Sequence, residues 1–427
     1  MPRKVSGGGT RPTALLVAGL AILLDAWPAQ AQTVYEADGG LNLVYDQAAP
    51  IDARSARLDV RPSLAIQYGS SRLILRVGYL FSGSLGLLGD ESSGYSNHLS
   101  AALGATLTRR ASLTVNGAVT QGSTYFRLTQ PAPEATQPTL RPPTSLDLVA
   151  GTLQEVLAWE ASPALRLGQS VGVQVTAARD EMDRPNTVVS ASLGLDWLSP
   201  RDALGVTYAP RFAALRPLPP GDAPLVRTVT HSLQASWSHD FDQGWNGRAA
   251  AGVELLRLVP GPGATSASPT GTLSALYTSG ALTGSLSLTH GAAPNLELGT
   301  MASTDQAILR GTLVLDPRLR RQVGASLGLV RLRPTGVEGV VTTTGQALEA
   351  DVGVTWGLTE YLYATGRYSL SHQFGRADGA PSAQLHVFLL GLVVHFSNAS
   401  YTAPVPSFGS RVDGADGARF PGDAPRP

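Results

Sequence analysis

The feature that most constrains this chain is a run of short segments with a two-residue period, joined by connections that alternate between short and long. In residues 56–68, Leu58, Val60, Leu64, Ile66 and Tyr68 are apolar while Arg57, Asp59, Arg61, Ser63 and Gln67 are polar. Helical spacing would scatter both sets around an axis, whereas a strand puts each on its own face. The pattern recurs at 72–81, 98–108, 112–120, 170–176, 188–197, 228–240, 246–255, 272–278, 282–290, 306–316, 322–330, 347–356 and 361–370. Short turn-like joins occur at 69–71, 108–110, 162–163, 199–202, 242–244, 279–280, 316–318 and 357–359. Between them lie longer Pro- and Gly-rich connections at 47–55, 82–97, 121–144, 179–186, 212–226, 260–268, 291–304, 332–344 and 373–383.

Strict alternation of short turns and long loops is the pattern of a membrane-spanning barrel, with turns on one rim and loops on the other. With 41–46 as the first strand and 385–396 as the last, the sequence predicts an all-β fold: a transmembrane antiparallel up-and-down β-barrel of about 18 strands. A soluble sandwich or propeller would carry blade-like repeats, and none of about 40 residues is present. The weakest segments are the first strand and 146–160, where alternation slips and a bulge or shifted register is expected.

Composition agrees with this class and excludes others. Of 427 residues only 15% are charged, against about 25% in soluble domains. The absence of Cys rules out disulfides, thiolate metal sites and a lipid anchor on cysteine. Balanced charge, 32 Lys+Arg against 32 Asp+Glu, argues against nucleic acid as a partner. No motif requires a cofactor or a metal. The seven His include the neighbours His239 and Asp240 at a short turn, and His98 and His290 near long loops, with no nucleophile–base pair in the sequence, so no enzyme activity is expected. Acidic clusters at Asp90-Glu91 and at Asp180-Glu181 with Asp183 could bridge cations to lipopolysaccharide or be solvated loop charge.

Three regions follow. Residues 1–31 read as a secretory signal, with Arg3, Lys4 and Arg11 before an apolar core at 14–24 and a small-x-small site at Ala29-Gln30-Ala31. Residues 39–396 form the barrel, and 397–427 a Pro/Gly-rich disordered tail that could reach the lumen or a periplasmic partner, or be an unstructured remnant.

The architecture, with the aromatic ending Val393-Val394-His395-Phe396, resembles the bacterial outer-membrane barrels. That resemblance implies localisation in the outer membrane after signal cleavage, contact with outer-membrane lipid and lipopolysaccharide, and recognition by the barrel-assembly machinery. The family normally ends on the aromatic residue; here a tail follows it.

If the apolar face meets lipid, Arg57, Asp59, Arg61, Arg72, Arg76, Arg248, Glu254, Arg310, Glu349, Asp351 and Arg367 line the lumen, because charge at mid-bilayer costs about 2–4 kcal/mol for Arg or Lys. Barrels of this size hold an aqueous channel, so the chain reads as a pore for a polar solute. Arg57, Arg61, Arg72 and Arg76 against Asp59 tilt one hairpin positive, which suits an anionic or polyhydroxylated solute; the same groups could instead be register-holding pairs. The Arg-bearing, single-chain build resembles the polysaccharide-export barrels, which implies a secretion porin for exopolysaccharide working with a separate periplasmic export component. The alternatives are a diffusion porin for small nutrients and a structural or adhesive surface barrel. The longest loop, 121–144, occupies the third long connection, where general porins fold a constriction inward; a Pro-rich exposed loop is the other reading.

Overall fold

The computed structural model describes residues 32–49, 53–70, 72–88, 94–123, 147–179, 182, 185–216, 225–259, 265–296, 300–319, 321–335, 345–374 and 382–398. The expected signal, the tail beyond residue 398, the third long connection and the loop acids Asp90, Glu91, Asp180, Glu181 and Asp183 lie outside them.

The strands are β1 (Gln32–Ala49), β2 (Ala53–Gly69), β3 (Leu73–Leu88), β4 (Gly94–Thr108), β5 (Ala111–Ser123), β6 (Asp147–Ser162), β7 (Leu165–Ala178), β8 (Asn186–Leu198) and β9 (Asp202–Leu215). They continue as β10 (Val226–Asp240), β11 (Trp245–Leu258), β12 (Thr265–Ser279), β13 (Leu282–Asn295), β14 (Thr300–Asp316), β15 (Arg321–Arg333), β16 (Gly345–Gly357), β17 (Leu362–Gln373) and β18 (Ala383–Ser397). Each pairs antiparallel with its chain neighbours, and β1 pairs with β18 from Glu36↔Ser397 to Ala49↔Gln384, closing an 18-stranded barrel. Closure leaves no sheet edge, so every wall strand has a partner on both sides inside lipid.

Register fixes which face is which. Along β18, Phe388, Leu390, Leu392, Val394 and Phe396 are exposed, while the alternate residues Val387 and Leu389 are buried. The exposed set belongs to a continuous outward belt that includes Leu41 and Leu43 on β1, Leu64 and Ile66 on β2, and Leu327 and Leu329 on β15. Aromatic side chains bound this belt. Near the short turns stand Trp159, Trp197, Trp237, Trp245, Trp356 and Phe396; toward the long loops Tyr45, Tyr368 and Phe388 touch, with Tyr208 on His231 elsewhere on that rim. From Tyr35 to Tyr45 on β1, at about 3.3 Å per residue and about 40° tilt, the belt is ~25 Å tall, which matches the hydrocarbon thickness such barrels span.

Several boundaries differ from the sequence expectation. The first strand begins at Gln32, not near residue 39, and Ala37 pairs with Phe396. Between Tyr35 and Leu41 its outward residues are Ala37 and Gly39, too small to show as alternation. Segment 146–160 holds an unbroken register on β5, from Ser123↔Asp147 to Ala111↔Trp159, with an irregularity only between Glu160 and Ser162. The slip in its pattern comes from Glu155, which shares the outward parity of Leu153 and Trp159 and faces the lipid side. On the long-loop rim, residues 82–88, 94–97, 213–215, 291–295 and 300–304 are strand, not loop.

Candidate functional site

The lumen is the candidate site, and its composition follows from the inward parity. Arg57, Asp59, Arg61, Arg76, Arg248, Glu254, Arg310, Glu349, Asp351 and Arg367 all stand on that parity. Arg72 does not: it occupies the turn before β3, exposed, with its backbone N–H on the Ser70 hydroxyl at 3.3 Å.

The positive tilt expected on the β2–β3 hairpin is largely neutralised. Arg57 lies between Asp46 of β1 and Asp59, with Nε 3.2 Å from Asp59 Oδ1, and Arg61 donates to Asp59 Oδ2 at 3.1 Å. Asp59 is 0% exposed and Arg57 2%. Arg76 pairs with Glu36 at 3.1 Å nearer the short turns, and Arg367 with Asp351, whose Oδ2 also accepts from the Ser369 hydroxyl at 2.6 Å. Arg166 donates twice to Asp196 Oδ2, at 2.9 and 3.1 Å, in a space kept open by Gly205, where a Cβ would stand 2.5 Å from Asp196 Oδ1. The acids Glu36, Asp46 and Asp196 were not anticipated; extending the period-two parity into β1 and β8 would have found them. The inner wall thus carries paired charge with small net sign, the register-holding arrangement.

The outer half of the lumen is crossed by the tip of the β13–β14 hairpin. Pairing of β13 with β12 stops at Gly271↔His290, and pairing of β14 with β15 starts at Ser303↔Arg333, so residues 291–296 and 300–302 leave the wall. At the departure point Gly291 passes so close to β12 and β11 that a Cβ would meet Thr270 Oγ1 at 3.0 Å and Glu254 Oε2 at 3.5 Å. The tip then bonds to strands far round the barrel. Glu254 Oε2 accepts the Ala292 N–H at 2.7 Å, Arg211 of β9 donates to the Ala292 carbonyl at 3.0 Å, and Asn186 of β8 donates to the Leu296 carbonyl at 2.9 Å. Met301, 1% exposed, packs with Val188, Ala213, Leu215 and Leu256 of the facing wall.

Geometry shows how far this reaches. A circular barrel of 18 strands at about 4.8 Å spacing and about 40° tilt is ~36 Å across between backbones, and strands five apart stand ~28 Å from one another. The six residues from Gly291 to Leu296 span ~20 Å at most, so the Asn186 contact requires the hairpin to lie across the mouth and the β8–β9 rim to lean toward it. Two further inward apolar clusters occupy the same level: Val44 with Val387 and Leu389, and Ala302 with Val330, Leu332 and Ala347. The lumen is therefore not uniformly polar, as the wall pattern implied; toward the long loops it becomes a packed interior. On the rim above β7, Arg179 bonds Asp147 at 3.2 Å and the Tyr95 hydroxyl at 2.9 Å, and the Asp147 bond raises its pKa further above its usual value.

The three histidines singled out in the sequence each make a side-chain hydrogen bond. His98 meets the Thr120 hydroxyl at 2.8 Å in the lumen. His239 faces outward in the short-turn aromatic belt, bonded to Asp202 at 2.7 Å beside Trp237, and not to Asp240. His290 bonds Asp305 at 2.6 Å on the outer surface.

No family model matches the chain, and no curated protein matches it. Among solved structures the chain is similar to three Pseudomonas aeruginosa outer-membrane proteins. OpdO has 10% identity over 86% of this chain and 98% of its own, at a TM-score of 0.45. OccK2 (OpdF) has 13% identity over 86% and 99%, at 0.44, and OpdK 12% over 85% and 98%, at 0.42.

Proposed function

We propose that the protein is an outer-membrane diffusion channel for small polar solutes, performing no chemistry. The observation that carries this reading is the hairpin arms at 291–296 and 300–302, tied across a lumen otherwise wide enough for an aqueous channel. A strap held by hydrogen bonds to β8, β9 and β11 narrows the lumen, which suits small solutes better than a continuous polymer. The geometry therefore favours the small-nutrient channel over exopolysaccharide secretion, and no periplasmic export component is needed to explain it. The paired charges below the strap give the wall local dipoles, which suits neutral, polyhydroxylated or zwitterionic solutes better than strongly anionic ones.

Swelling of liposomes containing the purified barrel tests this with sugars and amino acids of increasing size. Monosaccharides and amino acids should enter while longer oligosaccharides are excluded. Free passage of long oligosaccharides would restore the export reading, and a folded barrel admitting neither class would turn attention to the loops as a binding surface.

A further inference from the structure

The outer surface of the barrel carries a second feature that the channel does not use. Across β13, β14 and β15, His290, Asp305 and Arg331 are directly in register, and Arg333 follows two residues on. All share the parity of Leu288, Ala307 and Leu329, so they face outward. His290 and Arg333 both bond to Asp305. Arg331 is exposed and, among the described residues, has no ion-pair partner. The row sets two guanidinium groups against one carboxylate at the long-loop edge of the apolar belt.

Directly beneath the row is a groove of about 640 Å³. Its floor toward the membrane centre is apolar, with Leu273, Leu288 and Leu329 standing round the small Ala249, Gly271 and Ala307, and its upper end is closed by His290, Asp305 and Arg331. At roughly 30 Å³ per water-sized group it holds about 20 such groups, the bulk of one long acyl chain. The groove lies where β13 peels inward at Gly291, which leaves the outer end of β12 unpaired on that side. An apolar trough topped by the Arg331 guanidinium, with the Asp305-paired Arg333 beside it, is complementary to an acyl chain whose headgroup carries phosphate, because arginine engages phosphate oxygens through paired N–H donors.

We propose that this groove and the Arg331–Arg333 row bind a phosphorylated lipid of the lipopolysaccharide type, with an acyl chain against Leu288 and Leu329 and a phosphate on the two guanidinium groups. The assignment rests on the outer-membrane reading, which places the long-loop rim in the leaflet containing such lipids. The channel function is independent of it.

Native mass spectrometry of the purified barrel in detergent, titrated with lipid A and with lipid A stripped of its phosphates, tests the site. The wild-type protein should retain the phosphorylated form about tenfold better, the ratio expected for losing one charge-assisted contact. Arg331→Gln/Arg333→Gln should abolish that preference while still retaining both lipids weakly, and Ala307→Phe, which fills the groove, should reduce retention of both. Equal retention of the two lipids by wild type, or an unchanged preference in the double variant, would overturn the proposal. Competition by inorganic phosphate at the same concentration as the lipid would also overturn it, since the site would then be a free-anion site. Heat-modifiable migration on gels confirms that each variant is folded, and unaltered liposome swelling separates failure at this site from failure of the channel reading.

Discussion

Releasing the strap is the perturbation that tests the lumen most directly. Two of its ties are charge-assisted hydrogen bonds, from Arg211 to the Ala292 carbonyl and from the Ala292 N–H to Glu254, each contributing about 1.5–3 kcal/mol. The Asn186–Leu296 bond adds about 1 kcal/mol. Met301, buried among Val188, Leu215 and Leu256, adds the ~2–5 kcal/mol typical of truncating such a side chain to Ala. The strap is thus held by several kcal/mol more than thermal energy and should give wild type a single conductance level. Arg211→Ala/Glu254→Ala/Met301→Ala removes three of these ties and leaves the net charge of the lumen unchanged. A hairpin about 10 Å wide and ~20 Å long, lifted from a lumen ~26 Å across inside its side chains, frees roughly a third of the cross-section. Planar-bilayer recordings of the triple variant should show a second level about 1.5-fold larger, in exchange with the first. A folded triple variant with the wild-type level alone would show that residues 291–302 do not limit conduction, and the small-solute argument built on them would fail.

Three further outcomes follow from the wall. Glu155 faces lipid between Val115 and Val171, so Glu155→Leu should stabilise the barrel by about 1–2 kcal/mol in guanidinium titrations in vesicles, somewhat below the penalty known for Arg or Lys at that depth; a destabilised variant would mean that Glu155 meets protein. Asp59→Asn removes the buried carboxylate shared by buried Arg57 and partly buried Arg61 and should cost about 3–5 kcal/mol in the same titration. Arg76→Gln, which breaks a half-exposed pair with Glu36, should change stability by less than about 1 kcal/mol, and equal losses in the two variants would contradict the burial difference between them.

How much of this was legible depends on what lipid demands of each residue. Within the hydrocarbon belt the outward residue must be apolar, so Leu58, Val60 and Leu64 on β2 announce both the strand and its inner face, and Arg57, Asp59 and Arg61 could be placed in the lumen from sequence. Above the belt that demand ends while strand pairing continues. Residues 94–97 therefore read as loop although Phe81 pairs with Asn97, while 82–88 pair beside Leu58 and Val60 but read as loop because Gly83, Ser84 and Gly86 break up their apolar pattern. Glu155 misled differently: one carboxylate on the lipid face made the whole segment look irregular, whereas the register shifts only between Glu160 and Ser162. The inward hairpin was missed, yet a signal existed. Val188-Val189 and Leu255-Leu256 put large apolar residues on both faces of one strand, which happens where the inner face also has protein to pack against. What no local pattern supplies is the contact of Asn186 with Leu296, 110 positions away along the chain.

The burial of inward side chains then locates the selective part of the channel. The wall of an 18-stranded barrel is too wide to be filled by its own side chains, so an inward residue is buried only where something crosses the lumen beside it. Val44 and Asp59 at 0% exposure and Met301 at 1% all lie in the long-loop half. Inward residues nearer the short turns remain open, as with Leu276 at 44% and Arg76 at 51%; Gln322, Thr355 and His395 are the buried exceptions beside the turns. A solute entering from the long-loop side thus meets the strap and the paired charges first and a wider vestibule afterwards. In the proposed channel the size limit falls at residues 291–296 and 300–302 with their ties to β8, β9 and β11, so strand number alone predicts the lumen's diameter but not what it admits.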